Sequence, residues 1–76
     1  MDEKEIVRRL LHHFGIRIGP EMSVYARRQL ERDGATEFHV MGAHARTGVP
    51  MRSLINIHEL RTGVGSGNMK IPRETY

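Results

Sequence analysis

Apolar positions along the chain follow a helical period in two early runs and switch to a period of two after Gly34. In the first run Ile6, Val7, Leu10, Leu11 and Phe14 share one face, with Lys4, Arg8, Arg9, His12 and His13 largely on the other. Asp2 followed by Glu5 has the spacing of a capping box, and Gly15 supplies a residue suited to the left-handed end of the helix. Ile16 to Pro20 alternates apolar and polar and predicts extended or turn-like chain, with Pro20 suited to the first position of a second helix running to Asp33. Ser23 is an alternative N-cap. In either case Met22, Tyr25, Ala26, Gln29 and Leu30 form the inward stripe, and Val24, Arg27, Arg28, Glu31 and Arg32 face largely outward.

From Thr36 to Glu59 the alternation predicts two strands folded about a basic tip. Phe38 and Val40 must point the same way as Ile55 and Ile57 to cover the helices. Pairing Val40 with Ile55 and Phe38 with Ile57 does this, and leaves Thr47–Gly48 or residues 46–49 as the loop. The other face then carries Met41 opposite Leu54 as an apolar spot among polar residues. The expectation is an α+β fold with two N-terminal helices packed on a β-hairpin (ααββ) over residues 1–62. A Gly-rich linker and flexible C-terminal arm follow over residues 63–76.

A chain of 76 residues buries only about 60% of its unfolded surface. With no cysteine there is no disulfide staple, so self-association becomes an expectation, and a two-stranded sheet needing completion favours a homodimer. The acidic start Met1-Asp2-Glu3-Lys4-Glu5 does not suit a signal peptide and no apolar run reaches membrane-span length, which predicts a cytoplasmic protein without a membrane partner. Five histidines raise a metal site, but His39 and His58 lack the spaced cysteines or carboxylates of a zinc cluster, so no metal or cofactor is expected. No serine lies in a nucleophile elbow and the Gly63–Gly67 run lacks the lysine of a phosphate loop, so no enzyme is predicted.

Twelve Lys and Arg residues stand against nine Asp and Glu, and arginine dominates the basic set. Guanidinium groups suit phosphate or a protein interface, although a codon bias toward arginine gives the same composition. Arg27, Arg28 and Arg32 on the second helix, with His44, Arg46 and Arg52 near the hairpin tip, form the candidate nucleic-acid contacts, to DNA or RNA. The segment Val24–Gly34 with the ribbon after it resembles the second half of a winged-helix module, which implies a helix in the major groove and a wing on the backbone. Only one helix precedes it, so a complete module implies a partner subunit. The competing reading is a protein-binding regulator or inhibitor of the mobile-element type, acting through the tail or through Met41 and Leu54 with His39 and Asn56 around them.

Overall fold

A computed structural model describes residues 1–63 of the chain, so of the linker and tail expected over residues 63–76 all but Gly63, which caps the last helix, lie outside the described residues. The order of elements is α1 (Glu3–Phe14), β1 (Ile16–Arg17), α2 (Pro20–Glu31), β2 (Glu37–His44), β3 (Pro50–Asn56) and α3 (Ile57–Thr62). Both expected helices and the hairpin are present, with a third strand and a third helix in addition.

The first helix begins where the capping residues place it. Asp2 has extended backbone, and its carboxylate accepts the Glu5 amide at 2.9 Å, while Gly15 closes the helix at φ 68°. Ile6 and Leu10 are fully buried, with Phe14 against the same core. The second helix starts after Gly19 with Pro20 in its first turn and ends at Glu31, two residues short of the expected Asp33, because Arg32 already has extended backbone. Ser23 is no cap: it is buried, and its hydroxyl donates to the Pro20 carbonyl at 2.7 Å.

The sheet is antiparallel in the order β1-β2-β3. β2 and β3 pair as Phe38↔Ile55, Val40↔Ser53 and Gly42↔Met51, a slip of two residues from the expected register. The slip is even, so every side chain keeps its face. Phe38, Val40, Met51 and Ile55 are buried against the helices. The cause lies at the far end of β3. Asn56 accepts the Glu59 amide on its side chain at 3.1 Å and starts α3, so Ile57, whose amide still donates to the Thr36 carbonyl at 2.9 Å, enters the core from a helix beside Leu60. The tip correspondingly becomes a turn over residues 45–48 in place of either expected loop. His44 and Val49 flank it, and the Gly48 amide donates to the His44 carbonyl at 2.8 Å with Gly48 at φ 72°.

β1 pairs with the tip-proximal end of β2, Ile16 opposite His44 and Arg17 opposite Ala43. Its passage onto the inner face is close: a Cβ at Gly42 would sit 2.5 Å from the Arg17 carbonyl oxygen and 2.9 Å from Ile18 Cγ2. Glycine is required there by proximity, its φ being negative. No helix among the described residues is long and apolar enough to cross a membrane.

Candidate interaction surfaces

The arginines divide into those that hold the fold and those that project from it. Arg9 donates to the Leu60 carbonyl at 2.9 Å, to the Arg61 carbonyl and to Glu5 Oε1 at 2.9 Å, joining α1 to the C-terminal end of α3. Arg61 in turn donates to the Leu30 carbonyl at the end of α2. Both guanidinium groups therefore satisfy carbonyls that a helix end leaves without intrahelical partners, and both sit at the negative ends of helix dipoles. Glu5 also accepts from Arg8. The hydrogen bond from Arg8, then that from Arg9, lowers its carboxyl from 4.5 to about 2.

Among the expected nucleic-acid contacts, Arg27 is half-buried. Its Nε lies 2.9 Å from Glu3 Oε1, near enough for an ion pair though not aligned for a hydrogen bond, and its other end approaches Glu31 at 3.9 Å. Arg28, Arg32, Arg46 and Arg52 are exposed. His44 departs from the expectation of a tip contact: it is 1% exposed, on the inner face of β2 in line with Phe38 and Val40. Its Nδ1 accepts the backbone amides of Arg46 and Thr47, each at 3.2 Å, so the neutral ring carries its proton on Nε2, which is buried with no partner among the described residues. This histidine shapes the tip from inside and offers nothing to a phosphate. Between α1 and α2 the chain forms the short strand β1.

The outer face of the sheet has a different character. Met41 is 50% exposed and Leu54 is 54% exposed, on neighbouring strands. In the observed register Met41 stands opposite Arg52 and Leu54 opposite His39, so the two apolar side chains meet on the diagonal instead of directly across. Asn56, expected on the rim, is opposite Glu37 and uses its side-chain oxygen on α3.

The surface extends further than the sequence suggested. β1 pairs only with residues 43–44 of β2, so along His39 and Met41 that side of the strand is flanked by α2. Met22 and Tyr25 reach across from the helix, and a cleft of about 300 Å³ is lined by Met22, Tyr25, His39, Met41 and Arg52. Tyr25, expected on the inward stripe, is 40% exposed and meets the Phe38 ring edge-on at 6.3 Å. Its place at the edge of that stripe, beside the outward Arg28 and Arg32 on the helix surface, was the available sign that it would reach the edge. Tyr25, Met41 and Leu54 thus form an apolar strip from α2 across the sheet to the outer strand, bordered by His39 and Arg52.

His58 lies on α3 instead of on a strand, and no group of metal-ligating side chains gathers among the described residues. No protein-family model, curated protein or solved structure matches the chain.

Proposed function

We propose that the protein is a small non-catalytic regulator that binds another protein through the outer face of its sheet, with Tyr25, Met41 and Leu54 as the apolar anchor and His39, Arg52 and Asn56 at its border. The observation carrying this reading is the exposure of Met41 and Leu54 by half or more of their surface, at diagonal positions on paired strands. Large apolar side chains on adjoining strands beside a cleft provide area that is released from water on docking, and a polar border supplies orientation. Strand residues also bring little conformational entropy to lose on binding, since the backbone is already ordered.

The test is capture of a host-cell partner by the wild-type chain, compared with Met41→Asp and Leu54→Asp, washed at low and at high salt. Binding that survives high salt and is lost in both variants supports the reading. Retention by both variants removes it.

Four arginines favour a second reading, nucleic-acid binding through Arg28, Arg32, Arg46 and Arg52, all on exposed positions. It ranks below the first because Arg27 is engaged with two carboxylates and His44 is interior. Its signature is an affinity for DNA or RNA that falls steeply with ionic strength, since phosphate contacts release counterions. Absence of binding at low salt eliminates it.

A further inference from the structure

β3 pairs with β2 along its length, whereas β1 on the other side pairs only with Ala43 and His44. We propose that the protein partner enters as an extended segment that pairs with the rest of this edge, along His39 and Met41, in line with β1. The inference rests on the reading that a protein docks at the outer sheet face, and adds the form in which it arrives.

Which backbone groups face the edge follows from the ladder. The His44 amide donates to the Val49 carbonyl and the Ile57 amide to the Thr36 carbonyl, each at 2.9 Å, so both belong to pairs of the hydrogen-bonded kind. Alternation between them bonds Phe38, Val40 and Gly42 to β3, and turns the N–H and C=O groups of Glu37, His39, Met41 and Ala43 the other way. Ala43 meets Arg17 of β1 there, and the Ala45 amide reaches the Gly15 carbonyl at 2.8 Å. After Arg17 the chain passes close to Gly42 and turns into α2, so no backbone among the described residues bonds to His39 or Met41 on this side. The flanking helix cannot supply those bonds. Its interior N–H and C=O groups bond one another, and what it presents to the strand is side chains.

The groups left open are strong donors and acceptors in fixed extended geometry, and another extended chain is what matches their spacing. No proline, lysine or arginine interrupts residues 37–41 to discourage pairing. The cleft of about 300 Å³ lies against the same stretch, with Met22 and Tyr25 on the helix side and His39 and Met41 on the strand side. Side chains of an antiparallel guest divide by parity. Those opposite His39 and Met41 share their face and widen the apolar strip, while the residue between them turns inward toward Met22 and Tyr25. The partner segment is therefore apolar at alternate positions and free of proline where it pairs.

Hydrogen exchange reads the edge directly. In the protein alone the His39 and Met41 amides should exchange fast, and those of Phe38, Val40 and Gly42 slowly. In the complex with a partner captured from host cells, His39 and Met41 should become slow. Replacing Met41 by its α-hydroxy counterpart keeps the side chain and removes the edge N–H, and affinity for that partner should fall about tenfold. His39→Pro removes the neighbouring donor without touching the bonds to β3, and should bind about tenfold more weakly than His39→Ala. Exchange at His39 and Met41 as slow as at Val40 in the protein alone means that the rest of the chain or a second copy already fills the edge, and overturns the proposal. Exchange there that stays fast in the complex overturns it too. Full affinity in the hydroxy-acid variant and in His39→Pro, with capture still lost in Met41→Asp and Leu54→Asp, means that the partner lies on the face without pairing: the proposal falls and the broader reading stands. Capture by both aspartate variants removes the two together.

Discussion

Replacing Gly42 with alanine probes a close approach of β2 to the backbone of β1. The new methyl would lie 2.5 Å from the Arg17 carbonyl oxygen, 2.9 Å from Ile18 Cγ2 and 3.0 Å from Ile16 Cγ2. A side-chain contact can be relieved by rotation, but the Arg17 oxygen belongs to a strand held by its pairing with Ala43 and by the Ala45 amide bonded to the Gly15 carbonyl at 2.8 Å. β1 must therefore withdraw. Overpacking of this kind costs about 1–3 kcal/mol, and weakening a strand hydrogen bond adds about 1 kcal/mol. Against this, alanine restricts the unfolded chain and returns about 0.4–1 kcal/mol. The net expectation is a loss of about 2 kcal/mol, or a Tm lowered by roughly 10 °C in a domain of this size. Urea titration followed by far-ultraviolet circular dichroism should show an earlier midpoint with an unchanged slope. A midpoint equal to or above that of the wild type would refute the close crossing of β1 over β2.

Other substitutions probe the caps, the tip and the acid response. Gly19 is an N-cap with extended backbone, no side-chain bond and nothing within 4 Å of an added Cβ, so Gly19→Asp should stabilise by about 0.5–1 kcal/mol in the same titration. His44→Ala should cost about 2–3 kcal/mol through the cavity it leaves and speed hydrogen exchange at the Arg46 and Thr47 amides; His44→Asn should restore the slow exchange without the stability. Glu5 has its carboxyl held below the unfolded value by Arg8 and Arg9, so its contribution is present above pH 4.5 and lost as pH falls toward about 2. An acid titration of Glu5→Gln should lack that part of the loss, and added salt should shrink the difference between the two proteins.

Much of this fold could be read from residue spacing, and the misses have identifiable causes. The cap at Asp2, the stop at Gly15 and the start at Pro20 are local chemistry, so they were legible. The faces of the hairpin were legible too, because alternation survives a two-residue slip, whereas the end of β3 is set by the helix start at Asn56. The signal for α3 was present: Asn56 and Glu59 have capping-box spacing ahead of Leu60, masked by the apparent continuation of the strand alternation through Ile57. β1 is too short to announce itself as a strand, and only Gly42 marks where it crosses. At the candidate surface, Met41 and Leu54 were found as an exposed apolar pair. The inward turn of His44 was legible from the same alternation, which sets it on the face of Phe38 and Val40, but its polar side chain beside a basic tip suggested solvent instead.

The proposed function puts contact with a partner on the outer sheet face and not on the arginines. A photo-crosslinking amino acid placed at Met41, and separately at Arg46, tests it in the native host cell. The account predicts an adduct at Met41 that protease digests and nuclease does not, and none at Arg46. A nuclease-sensitive adduct at Arg46, with Met41 silent, would contradict it.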